Sequence, residues 1–191
     1  MRFLDALLGR TRPAKPNLDV LFAIPSAAYT LQAGLGLAPT GVGAVCFKTT
    51  EGQAATQAQA DALALADAGS GGRTTVSHDE YSYTWVTCRR ADADLPALVT
   101  ALHAINVTLA EAGFGSSLLC TVIGFAAGGD NPRRLGLVYL FKRGTFYPFA
   151  PAGGQTRDTA LEIQVRAQLG GELPIEPDLS RWFPIWAAPA L

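Results

Sequence analysis

Residues 133–151 read RRLGLVYLFKRGTFYPFAP, and every position from Leu135 to Phe141 carries an apolar or small side chain. Successive side chains of a strand point to opposite faces of its sheet. A strand apolar on both sides therefore needs cover on both sides, which predicts a central strand with a layer packed on each face. Arg143-Gly144 suits a two-residue turn or a turn with a glycine bulge. Thr145 to Phe149 then returns as a second strand. Pro148 marks that strand as an edge or a strand end, because proline cannot donate to a ladder. The rest of the chain must supply two covering layers.

Helical periodicity supplies one of them. Leu95, Leu98, Val99, Leu102, Ile105, Leu109 and Ala112 form an apolar stripe at 3.6 spacing over 94–112. Asp92 or Asp94 caps this helix, Pro96 sits in its first turn and Gly113 ends it. Asn17 is the expected cap of a helix reaching about Leu35, kinked or divided at Pro25. Glu51 to Ala68 reads as a surface helix with a weak apolar stripe. Thr156 is the expected cap of a last helix running to Leu169, with Gly170 as its stop. Further strands are read at Val42–Lys48, Tyr81–Cys88 and Leu118–Phe125. The fold class that follows is α+β, a mostly antiparallel sheet flanked by helices.

The chain divides into an amphipathic segment and linker at 1–16, a single α+β domain at 17–172 and a Pro/Trp-rich tail at 173–191. Prolines at 174, 177, 184 and 189 forbid a long helix in the tail. Trp182, Phe183, Ile185 and Trp186 would be a liability if solvated, so the tail either packs on the second face of the sheet or docks on a partner. At the other end, Phe3, Leu4, Leu7 and Leu8 share one face of a short helix, with Arg10, Arg12 and Lys15 following. Such a segment suits a partner surface, or an anionic membrane surface contacted peripherally; folding back onto the core is its other use.

Composition bounds the function. Of 191 residues, 49% are hydrophobic and 16% charged, which leaves a sparsely charged surface. A large core with many exposed alanines gives such totals, and so does a surface covered by a partner or by a second copy in a homodimer. The net charge of −1 offers no field for nucleic acid. Cys46, Cys88 and Cys120 lie far apart in sequence; redox-active thiols are one reading of them, but each sits mid-strand among apolar residues, which favours inert buried thiols of a reducing, cytoplasmic compartment. No apolar run of the roughly 18 to 20 residues needed for a membrane span is read, nor a signal peptide. Walker, zinc, nucleophile-elbow and calcium-loop motifs are absent, so neither metal nor other cofactor is implied.

Ser77-His78-Asp79-Glu80 looks chemical, but adjacent residues in a polar turn do not converge on a site by themselves. An alternative to a binding module is a small-molecule site or enzyme with an anion pocket near His78, Arg133, Lys142, Arg143 and Arg157. The contact candidates of a binding module are Phe3, Leu4, Leu7 and Leu8, the hairpin tip at Lys142 and Arg143 with Tyr147, and the tail residues Trp182, Phe183 and Trp186.

Several segments taken together are similar to a known family. NLDVLFAIPSAAYTLQ at 17–32, PTGVGAVCF at 39–47, AGFGSSLLC at 112–120, VYLFKRGTFYPFAP at 138–151 and PIEPDLSRWFPIW at 174–186 resemble the PspA-associated protein family PspAB of actinobacterial type. The resemblance spans nearly the whole chain, including FLDALLGR at 3–10. It implies association with phage-shock protein A, a coiled-coil guard of the membrane, and it carries no catalytic motif. The order of elements also resembles the type III secretion chaperone-like arrangement, a class of binding modules. Both point to a non-enzymatic cytoplasmic adaptor or chaperone-like protein of the PspA membrane-stress response.

Overall fold

The computed structural model describes residues 16–48, 52–67, 72–129 and 132–191. Six strands form one antiparallel sheet: β1 (Ala38–Lys48), β2 (Arg73–His78), β3 (Tyr83–Arg89), β4 (Leu118–Ala127), β5 (Arg133–Leu140) and β6 (Thr145–Phe149), in the order β2-β3-β1-β4-β5-β6. The helices are α1 (Ile24–Leu35), α2 (Gln53–Asp67), α3 (Leu95–Leu109) and α4 (Thr159–Leu169), with a 3-10 turn at Leu18–Ala23 leading into α1. This is the α+β, antiparallel arrangement that the periodicities predict.

The strand opposite every expectation of a half-exposed sheet is β5. Leu135, Leu137, Tyr139 and Phe141 enter the core on the helix side, while Val138 enters a second cluster on the other face. β5 is fifth of the six strands rather than the middle one, yet both its faces are covered. The helix layer supplies Ile24, Leu31, Leu98, Leu102, Ile105 and Val165 to the first cluster, all with no exposed surface. Two stretches, Leu18–Leu35 and Leu95–Phe114, are long and apolar enough to cross a membrane by length and composition. That corrects the reading that no run reaches such a length. In this fold both are core helices that lay their apolar sides on the sheet.

Local chemistry sets most of the boundaries. Asp94 caps α3, accepting from the Ala97 amide at 3.0 Å, and Pro96 follows in the first turn. The helix does not stop at Ala112: it closes with a π turn, Ala110–Phe114, in which Gly113 takes φ 92°. Pro25 does divide the first helix, with the 3-10 turn before it. Asn17 is not a side-chain cap there; its carbonyl instead accepts from the Tyr139 hydroxyl at 2.9 Å. The cap of α4 is Asp158, accepting from the Leu161 amide at 2.9 Å, and Thr156 turns back to the Gly153 carbonyl at 2.7 Å.

Two strands differ from the sequence expectation. β1 begins at Ala38, ahead of Val42, because an irregularity between Pro39 and Gly43 lets the chain pair again beyond it. Arg73–His78 forms β2, which alternation does not reveal because none of its side chains is fully buried. It pairs with β3 across a turn in which Asp79 accepts from the amides of Tyr81 (3.0 Å) and Tyr83 (2.9 Å) and from Trp85 Nε1 (2.9 Å). Tyr81 therefore sits in the turn and β3 starts at Tyr83.

Candidate functional site

The face of the sheet turned away from the helices is covered by residues 174–191. Trp182, Ala188 and Ala190 share one buried cluster with Cys46, Val122 and Phe149 of the strands. A pair of glycines makes this close approach possible. Gly124 of β4 and Gly136 of β5 are direct partners across the ladder. A Cβ on Gly124 would lie 2.2 Å from the Ala190 carbonyl oxygen, and one on Gly136 would lie 3.0 Å from a Leu191 methyl. Missing side chains in an otherwise apolar pair of strands form the groove in which the tail lies.

Three fastenings hold the tail along β6. First, the Phe146 amide donates to the Pro174 carbonyl at 2.8 Å and the Glu176 amide donates to the Phe146 carbonyl at 2.7 Å, so residues 174–176 cover an otherwise open strand edge. Second, the Glu176 carboxylate, with no exposed surface, accepts from Arg143 Nε, from the Thr145 hydroxyl at 2.8 Å and from the Asp178 amide at 3.2 Å. Burial raises the carboxyl of Glu176, but the hydrogen bonds from Arg143, Thr145 and the Asp178 amide outweigh it and hold the group below the usual carboxylate range. Its backbone carbonyl accepts from Trp182 Nε1 at 3.1 Å.

The third fastening passes round the edge of the sheet. Arg157 donates from Nε to Glu162 of α4 at 2.9 Å and from Nη1 to the Trp182 carbonyl at 2.7 Å, with its guanidinium 5.2 Å from the centre of the Phe149 ring. One side chain thus ties the helix layer to the tail layer. Tyr147 adds a bond from its hydroxyl to the Phe183 carbonyl at 2.9 Å, and its ring stacks on Trp182 at 6.2 Å. Burial pushes the Tyr147 phenol well above its ordinary value, so it remains a donor.

The contact candidates read from the sequence now have places. Phe3, Leu4, Leu7 and Leu8 lie outside the described residues. Lys142 is exposed at the hairpin tip, whereas Arg143 beside it is engaged with Glu176. Tyr147 and Trp182 are buried, and Trp186 is half-buried with its ring edge-on to Phe149 at 4.9 Å. Only Phe183 of the tail aromatics faces outward, 58% exposed, with Leu179 nearby in sequence at 51%.

The five residues of the expected anion pocket do not converge. His78 ends β2 at one edge of the sheet, its Nδ1 3.1 Å from the Thr84 hydroxyl. Arg133 opens β5 and donates to the Leu35 carbonyl at 2.6 Å, while Lys142 and Arg143 lie beyond the other end of that strand. Arg157 is the edge fastening. An antiparallel strand holds its two ends apart, and three of these cations already have internal acceptors. A cleft of about 350 Å³ does open beside Arg133, lined also by Arg134, Asp158 and Leu161, without the other four. Beside His78 there is room for roughly one water, about 30 Å³.

Asp79, the acid next to His78, serves the β2–β3 turn. Partial burial raises its carboxyl, while the bonds from Trp85 and from the Tyr83 and Tyr81 amides bring it below the usual range. Among the described residues, no group of three or more His, Cys, Asp or Glu is placed to hold a metal ion. The residues that organise the tail face, Glu176, Gly124 and Gly136, escaped the sequence reading. Two glycines inside apolar strands were the available signal.

Fold and tail together define a class: an α+β protein with one antiparallel sheet, roofed by helices on one face and by its own irregular carboxyl-terminal segment on the other. The model of the family PspAB, described as PspA associated protein B, matches residues 1–190, and the chain belongs to that family. No curated protein and no solved structure matches the chain.

Proposed function

We propose that this chain is a non-enzymatic cytoplasmic adaptor or chaperone-like protein that acts with a PspA-like coiled-coil protein in the membrane-stress response. The observation that carries this reading is membership of the PspA-associated family over residues 1–190. Two features of the tail face support it. The arginines that first suggested a ligand pocket spend their donors inside the protein, and Phe183 and Leu179 present apolar surface on either side of the buried Trp182. Single exposed apolar side chains are ordinary; two of this size on one short segment offer a candidate contact patch. A coiled coil offers the apolar ridge that such a patch would meet. Residues 1–15 add a peripheral contact with anionic membrane.

The test is co-elution of the purified, folded chain with a purified PspA-like coiled coil. A complex is expected, together with its loss in the Leu179→Ser/Phe183→Ser variant. Absence of any complex, with both proteins folded, overturns the reading. Sedimentation with anionic vesicles, with and without residues 1–15, examines the membrane contact separately.

A further inference from the structure

Three thiols are free in this protein, and the register of the sheet treats them differently. Cys46 of β1 and Cys120 of β4 are direct Cα partners across the antiparallel ladder. Both side chains belong to the tail-side cluster, at 3% and 8% exposure. Cys88 points to the helix side, where its sulfur lies 3.8 Å from the Thr74 hydroxyl, and it cannot join them. Direct antiparallel partners stand about 4.5 or 5.5 Å apart between Cα atoms, and a disulfide accepts about 4.4–6.8 Å. The Cα spacing of such a pair lies within that range, while its Cβ atoms, about 4.5–5.5 Å apart, close by up to about 1 Å to reach a disulfide's separation of about 3.5–4.5 Å. A β-bulge follows at once, between Cys46 and Phe47, and gives this part of the ladder room to adjust its twist.

We infer that Cys46 and Cys120 form a reversible cross-strand dithiol–disulfide site, oxidised by hydroperoxides and shielded by the tail. Cys120 is the more exposed of the two and attacks first. Its thiolate, having released a proton to water, bonds to the terminal oxygen of the hydroperoxide. The O–O bond breaks, Cys120 becomes a sulfenic acid, and the departing alkoxide takes up a proton to leave as the alcohol. Cys46 sulfur then attacks the Cys120 sulfur. The S–O bond breaks, hydroxide leaves with the Cys46 proton as water, and the disulfide forms. Two thiols and one hydroperoxide give one disulfide, one alcohol and one water; the sulfurs lose two electrons and the peroxide oxygens gain them. A hydrogen bond with Cys120, and then burial, push the Cys46 thiol far above its ordinary value, so Cys46 attacks only as its proton passes to the departing hydroxide.

Shielding follows from the same cluster. Trp182, Ala188 and Ala190 cover the face on which both sulfurs lie, and the Arg157 and Glu176 fastenings hold that cover down. Arg157→Met removes one fastening and leaves the thiols in place. Oxidation is then expected to run about tenfold faster, through a larger population of chains with the tail lifted.

The experiment treats the folded wild-type chain with hydrogen peroxide, alkylates the remaining thiols after unfolding, and maps the peptides by mass spectrometry. A Cys46–Cys120 cross-link within one chain is expected, reversed by dithiothreitol, with Cys88 alkylated. In Cys46→Ser the sulfenic acid on Cys120 is expected to persist and to be trapped by dimedone. Sulfinic or sulfonic acid without a cross-link overturns the inference, as does a cross-link between chains. So does full alkylation of both cysteines in wild type and Arg157→Met under peroxide that oxidises the unfolded chain. Equal rates in those two proteins overturn the shielding by the tail.

Discussion

The Glu176 carboxylate, carried by the tail, is buried against the guanidinium of Arg143, which itself stands 41% exposed at the tip of the β5–β6 hairpin. The pair joins two segments that lie 33 residues apart in sequence. Removing the arginine leaves a buried carboxylate with only the Thr145 hydroxyl and the Asp178 amide as donors. Arg143→Met is expected to cost about 2 kcal/mol, below the range for fully buried pairs because the cation is part-solvated. Urea unfolding, followed by tryptophan fluorescence, measures it. Glu176→Gln, which keeps the shape and removes the charge, is expected to cost about half as much.

The same carboxylate sets an acid dependence. Its folded-state value lies below the ordinary one, so its contribution is fully present above the usual glutamate value of about 4.3 and is lost as pH falls through the folded value. Asp79 shifts in the same direction and adds to the slope. Unfolding free energies measured from neutral pH into acid should therefore fall for wild type from about pH 5 downward. The Glu176→Gln curve should fall less steeply and approach that of wild type in strong acid.

Trp182 anchors the tail through its ring and its indole N–H together. Trp182→Ala is expected to cost about 3 kcal/mol, as large-to-small changes at buried aromatics do. The neighbouring Arg181 is exposed, so its resistance to trypsin depends on how the backbone around it is held. Limited proteolysis should cut the variant at Arg181 much faster than wild type.

Gly124 and Gly136 face the same groove with different tolerance. A methyl on Gly124 meets backbone, the Ala190 carbonyl, whereas one on Gly136 meets the movable end of the Leu191 side chain. Gly124→Ala is expected to destabilise by about 2 kcal/mol and to loosen residues 188–191, and Gly136→Ala by less than about 1 kcal/mol. Thermal unfolding of both, with hydrogen exchange on the tail, separates the two cases.

Much of the helix layer could be read directly. The stripe from Leu95 to Ala112, with Pro96 inside its first turn, places α3 and narrows its cap to Asp92 or Asp94, of which the structure selects Asp94, because both signals act within a few residues. The apolar run from Leu135 to Phe141 required cover on both faces, and both faces are covered. Thr156 gives way to Asp158 as the cap of α4, because two polar residues near that helix start can cap and only the backbone path selects one, whereas Asn17 holds the N-cap position of its 3-10 turn without a side-chain cap bond. β2 went unread for want of burial: an edge strand without a buried face leaves no alternation in the sequence.

The candidate site was far less legible. Arg143, Arg157 and Tyr147 were recognisable as residues able to bind something, and each binds this chain's own tail. Cys46 and Cys120 read as separate thiols, inert in preference to redox-active, and only the β1–β4 register sets them opposite one another. Periodicity, capping and the demand for two covering layers arise from interactions between near neighbours in the chain, which is why residue order dictated them. Which charge meets which acceptor, which thiol meets which thiol and what covers the second face depend on strand register and on the exclusion of water. Those are set only when distant segments pack, so they belong to the folded protein as a whole.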